Sequence, residues 1–234
     1  MPENGIALAS RYGYITNSLG YCGPKETGRD LYSAVIGKDA LPAKKSLENF
    51  EALFPYLSLI AEKKGLEPFD EKVVRAHFTG SPLLSGNWQE DLSSLIRNTF
   101  SKRGLPAKLA ERLASSVPKN AVPHHSFHVL FIHTITGRVP KTIETENNCL
   151  ITPAKFIRGN SVERRFVLPS GNFSKPEKAT ATIDENFLGK APKKGEYLAL
   201  HWGFSAEILT RRQAENLEKF NRRNLGAVLS VGKN

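Results

Sequence analysis

Cysteine and histidine are the side chains here whose chemistry suits metal binding or nucleophilic attack. The chain has two cysteines, Cys22 and Cys149, and six histidines. A thiolate is a soft metal ligand and a nucleophile, and imidazole is a metal ligand or a base near neutral pH. His124, His125, His128 and His133 fall within ten residues. The segment 126–135 is rich in Phe, Val and Ile without a helical period and reads as a strand. On a strand His124 and His128 share a face but stand roughly 13 Å apart, too far for one ion with bonds near 2 Å. A strand starting at Ser126 leaves His124 and His125 in the preceding turn, able to fold back. Taken alone, these histidines read as filling polar and core positions. Cys22 lies in Leu19-Gly20-Tyr21-Cys22-Gly23-Pro24, where Gly23-Pro24 signals a bend, and a buried structural thiol is the ordinary reading.

The elements that must position these groups change character along the chain. The first half is helical. Leu31, Ala34 and Val35 suggest a short helix. Leu47, Phe50, Leu53, Phe54, Leu57, Ile60 and Ala61 recur at helical spacing, with Ser46 as cap and Pro55 forcing a kink or two abutting helices. Asp70 caps a helix carrying Val73, Val74 and Phe78. Leu92, Leu95, Ile96 and Phe100 form a further stripe, and Pro106 opens a helix through Leu109 and Leu113. Beyond Pro118 short strands are expected at 126–135, 149–157, 162–168, 179–183 and 197–202, with a loop at 170–176. Thr210-Arg211-Arg212-Gln213 has capping-box spacing before a last amphipathic helix with Ala214, Leu217, Phe220 and Leu225 on one face. The class is therefore α+β: a helical domain over 1–120, then a small closed or half-closed β-barrel with a C-terminal helix over 121–234.

Composition bounds the function. Of 234 residues 40% are hydrophobic, enough for a core. No apolar run approaches the roughly 20 residues that cross a bilayer, and Met1-Pro2-Glu3-Asn4-Gly5 has no basic or apolar leader character. Two cysteines 127 positions apart are no disulfide framework, so a reducing, cytoplasmic setting is expected. The net charge of +10 is uneven. Residues 1–148 hold 18 basic and 15 acidic side chains, a net +3, whereas 149–234 hold 15 and 8, a net +7. Such an excess suits an anionic partner or a solvated basic surface.

Cys149-Leu150-Ile151-Thr152-Pro153-Ala154-Lys155 resembles the Cys-Leu-Ala-Ile-Pro-Gly-Lys opening of the HypC/HybG/HupF family of [NiFe]-hydrogenase maturation chaperones. Gly195-Glu196-Tyr197-Leu198-Ala199-Leu200-His201-Trp202-Gly203-Phe204-Ser205 resembles that family's Gly-Asp-Tyr-Val-Leu-Val-His-Val-Gly-Phe-Ala signature. The segment 208–223 stands where the family has its acidic helix, and the resemblance covers about residues 148–229. The whole chain also resembles an uncharacterised family of hydrogenase-associated proteins. In the family the cysteine directly follows the initiator methionine. Here 148 residues precede it, and Trp202 replaces a small aliphatic residue.

The resemblance implies an OB-like barrel with an appended helix. It also implies a carrier of the iron dicyano-carbonyl fragment, an Fe(CN)2CO unit, which works with a HypD-like factor and delivers to the precursor of the hydrogenase large subunit. The essential cysteine maps to Cys149 and the histidine to His201, with His124, His125, His128 and Cys22 as further candidate ligands. Lys155, Arg158, Arg164 and Arg165 are basic groups that could help hold an anionic fragment. Two other classes remain. An OB-like nucleic-acid-binding module would use Phe156, Phe166, Phe173 and Tyr197 for stacking. An enzyme would use Cys149 or Cys22 as nucleophile with a histidine base, though no nucleophile-elbow or protease signature flanks either. A non-catalytic carrier is the favoured expectation.

Overall fold

The computed structural model describes residues 5–231. The segment 1–4, part of the stretch read for a leader, lies outside them. Seven helices come first: α1 (Gly5–Ser18), α2 (Gly28–Val35), α3 (Leu41–Glu48), α4 (Leu53–Lys64), α5 (Glu71–Phe78), α6 (Gln89–Ser94) and α7 (Ala107–Ser115). Pro55 separates two abutting helices by sitting in the first turn of α4, where its missing N–H leaves no bond unmade. Ser46 lies inside α3 and does not cap it. Asp70 does cap α5, its carboxylate accepting from the Lys72 N–H. Helix α1 has no clean apolar stripe, because it is enclosed: Ser10, Gly13, Thr16 and Asn17 are buried along with Leu8, Ala9 and Tyr12.

The segment 126–135 corrects the sequence reading. It is not a strand. His125–Phe127 forms a short turn of helix, α8, which continues as a π-helical turn over His128–Ile132. His124 is extended at φ −84° and its Nδ1 accepts the Ser126 N–H, so the histidine acts as the N-cap. The Phe, Val and Ile content resembles a strand because the turn is largely enclosed, which erases the polar face that would reveal its period. Next comes α9 (Ile143–Cys149), opened by a capping box between Thr142 and Thr145. Cys149 therefore ends a helix and does not begin a strand.

The strands are β1 (Thr152–Arg158), β2 (Ser161–Arg164), β3 (Glu177–Thr180), β4 (Tyr197–His201) and β5 (Phe204–Leu209), with α10 (Glu185–Leu188) between β3 and β4. They form one antiparallel sheet in the order β3-β2-β1-β4-β5, and the sheet is not closed. Strand β5 escaped the sequence reading. It pairs with β4 across a two-residue turn in which Trp202 (φ 52°) and Gly203 (φ 71°) are both left-handed, the geometry that matches the strand twist in tight hairpins. The last helix, α11 (Arg211–Val231), starts at Thr210 with the expected reciprocal bonds to Gln213.

One apolar core runs through the helices and into the sheet. It joins Leu8, Leu31, Leu57, Val74 and Ile96 to Ile151, Ala199, Ala206, Leu209, Leu217 and Phe220. A smaller cluster of Ala154, Val162, Ala181, Leu198 and Leu200 packs separately. Within the core Glu207 of β5 is buried but satisfied. It accepts from the Tyr12 hydroxyl at 2.7 Å and the Arg75 guanidinium at 2.7 Å, pinning α1 and α5 to the sheet.

Candidate metal-binding site

Three elements converge on one point. Cys149 comes from the last turn of α9, His201 from the end of β4, and His125 from α8. A ligand atom of each lies within 4.8 Å of the others, the thiol and His201 being buried and His125 half-buried. Ligands around one tetrahedral ion are roughly 3.3–3.8 Å apart for bonds of about 2.0–2.3 Å. The observed upper bound exceeds that spacing by about 1 Å.

The surroundings orient these groups. The His201 Nδ1–H donates to the Tyr12 carbonyl at 3.0 Å, so the ring's other nitrogen keeps its lone pair. That Nε2 is buried and has no hydrogen-bond partner, an arrangement that is costly unless a ligand completes it. His125 Nε2 lies 3.1 Å from the Cys149 carbonyl oxygen and its ring stands edge-on to His201 at 5.1 Å. Burial drives the protonated imidazoles out. His201 is held well below 6.5, with the neighbouring His125 adding to the effect, and His125 is brought down to about 4. Burial also pushes the Cys149 thiol well above its ordinary value, with Cys22 adding to the rise and the Trp202 side chain opposing it. Both rings are thus neutral at pH 7 and ready to ligate, while the sulfur carries a proton that a metal must displace.

The group opens onto an apolar cavity of about 50 Å3. Tyr12, Tyr56 and Phe78 line its depth, with Cys22 and Glu51 among its less buried walls. Five of the six histidines line it: His77, His125, His128, His133 and His201. His133 has φ 69° and ψ −58°, the rare positive-φ γ-turn, a strained conformation. That turn places the ring so that Nε2 meets the Pro140 carbonyl at 2.9 Å. Nδ1 of His128 and of His133 are buried without partners. Trp202 packs on the cluster of Val129, Cys149, Leu150 and Val167, with the Tyr21 ring tilted against it at 4.5 Å between centroids.

The full chain has a sequence family. Residues 1–233 match the model of a family described as "Family of unknown function (DUF6390)". The chain belongs to that family. No curated protein and no solved structure matches it.

Among the residues singled out from the sequence, this DUF6390 chain brings Cys149, His201 and His125 together. It places His128 and Cys22 on the cavity wall. His124 stands apart: its Nδ1 bonds Ser126 and its ring stacks on Phe220. The strand spacing used against the histidine cluster does not apply, since α8 and the π-helical turn bring His125 and His128 to one cavity. His77 and Tyr12 had no sequence signal. His77 is an isolated histidine near the end of α5, and Tyr12 acts through a backbone carbonyl that every residue carries. The donor set of one sulfur and two imidazoles suits a soft or borderline transition metal such as zinc, copper or iron. Three ligands would leave a position open for small exogenous groups.

Proposed function

We propose that this protein is a metal-fragment carrier that binds iron through Cys149 and His201, with His125 as third ligand, and aids assembly of a [NiFe]-hydrogenase centre. The observation that carries the reading is the convergence of those side chains within 4.8 Å at a buried cavity. The similarity of residues 148–229 to HypC-type chaperones supports the iron dicyano-carbonyl fragment as cargo, a HypD-like factor as donor and the large-subunit precursor as acceptor. Thiolate is a soft donor matched to low-valent iron bearing cyanide and carbon monoxide. The OB-like barrel belongs to the same proposal. It is supported by the parallel bridge between Thr182, just past β3, and Phe204 of β5, which draws the two sheet edges together.

The internal position of Cys149 gives the carrier a different form from a chaperone with a terminal cysteine. Helices α1 and α8 and the Tyr21–Trp202 pair enclose the thiol, so release of cargo requires them to move. Nucleic-acid binding ranks second. Phe166 is covered by Arg164 and Phe173 by Arg222, and Phe156 packs against the smaller core cluster, which leaves few open stacking faces.

The test is infrared spectroscopy of the protein purified after co-expression with hydrogenase maturation factors. Bands of metal-bound cyanide and carbonyl are expected in the wild-type protein and absent in Cys149→Ala. The same bands in Cys149→Ala would remove Cys149 from the assignment. Their absence in the wild-type protein would remove the cargo.

A further inference from the structure

Away from the histidine-lined cavity, a second hollow of about 230 Å3 lies between the sheet and α11, lined by residues that include Thr152, Lys155, Arg164, Arg165, Tyr197 and Asn221. Three of its walls hold unsatisfied polar atoms. Thr152 Oγ1, Arg164 Nε and Asn221 Oδ1 are buried without hydrogen-bond partners, on residues only 3%, 5% and 1% exposed. Groups so enclosed are nearly always paired in folded proteins, and three at one hollow point to something that completes them.

The chemistry of the missing partner can be read from each atom. Arg164 is a cation on the inward face of β2, beside Val162. One Nη donates to the Asn147 carbonyl at 2.9 Å and its guanidinium lies 4.3 Å over Phe166. Among the described residues no carboxylate pairs with it: Glu218, the nearby acid on α11, is held by Arg165 and Arg222. Burial alone lowers the Arg164 pKa to about 10, with no anion to raise it. An unpaired buried guanidinium is costly, and a planar carboxylate is its geometric match. The lining charges also sum to one positive: Lys155, Arg164 and Arg165 against Glu163 and Glu218. That balance suits a monoanion and not a phosphate dianion. Asn221 adds a second requirement. Its Nδ2 donates to the Ile151 carbonyl at 2.8 Å, which fixes the amide so that Oδ1 faces away as an acceptor. It therefore needs an N–H or O–H. The Thr152 hydroxyl serves either way.

We infer that this hollow binds a small monocarboxylate bearing a hydroxyl group, the carboxylate on Arg164 and the hydroxyl donating to Asn221. The site is independent of the metal proposal. It shares no lining residue with the cavity around Cys149, although Arg164 holds the carbonyl of Asn147 in the helix that ends at Cys149.

Calorimetric titration and thermal melting of the full-length protein test this, with L-lactate as probe, acetate as a carboxylate without the donor, and inorganic phosphate. Lactate is expected to bind and to raise the melting temperature, and acetate to bind about tenfold more weakly or worse. Arg164→Gln abolishes binding. Because Arg164→Gln also removes the bond to the Asn147 carbonyl, Asn221→Asp supplies a second, near-isosteric variant whose new charge repels the carboxylate and lowers lactate affinity at least tenfold. No binding of lactate, phosphate binding in preference to it, or unchanged lactate affinity in Asn221→Asp overturns the inference.

Discussion

A thiol enclosed beside neutral imidazoles has its proton and its metal in direct competition. Because burial holds the Cys149 thiol protonated at neutral pH, loading one metal ion releases one proton, and affinity rises about tenfold per pH unit between pH 6 and 8. Metal titrations at several pH values in weak buffer measure this, and a pH-independent affinity would contradict it. His201→Gln is expected to weaken metal binding by at least the roughly 10–100-fold typical of losing a supporting partner. The rings also set the acid limit of stability. Burial lowers His125 from 6.5 to about 4 and His77 from 6.5 to about 3. The unfolded chain thus binds more protons in that window. Stability is present above about pH 6.5 and is lost as pH falls towards 3, by on the order of a few kcal/mol. Melting curves across pH 3–8 check the sign. From the sequence Cys149 and His201 are readable by their flanking motifs, whereas His125 stands among three close neighbours with nothing to single it out. Its selection depends on the turn of α8, which brings it towards Cys149 while His124 turns to Ser126 and Phe220.

The elements around the site are held by unusual backbone as much as by side chains. Two features escape sequence reading for the same reason: α1 and the π-helical turn at His128–Ile132 are largely enclosed, so polar and apolar residues do not separate by face. Where capping chemistry is local the sequence suffices, as at Asp70 and Thr210. Strand β5 is not legible in the sequence because the Trp202-Gly203 turn is so short that β4 and β5 run together. One glycine is fixed by both conformation and space. Gly80, just past α5, has φ 76°, and a Cβ there would lie 2.2 Å from the Phe220 ring of α11. Gly80→Ala is expected to destabilise the fold by about 1–3 kcal/mol, measured by denaturant unfolding, because it strains the backbone and displaces α11 together. A neutral result would mean that α11 is not held against that turn.

At the scale of the whole molecule the helical and strand-bearing parts share one core. Ala199, Leu209, Leu217 and Phe220 join the cluster built on Leu8, Leu57 and Val74, and the buried Glu207 is tied to Tyr12 and Arg75. A fragment of residues 121–234 alone would expose those groups and strand a carboxylate without its partners, so it is expected to lack a cooperative unfolding transition while the full chain unfolds in a single step. The α+β class and the order of helices before strands follow from hydrophobic period, but a shared core is a tertiary property that local pattern does not carry. The same sharing makes the site: the Tyr12 carbonyl from α1 orients the ring of His201 from β4. X-ray absorption at the iron edge of the anaerobically iron-loaded full-length protein tests the metal site most directly. One sulfur and two imidazole nitrogens are expected on the iron, with the sulfur lost in Cys149→Ala; a shell of only oxygen and nitrogen in the wild-type protein would contradict the account.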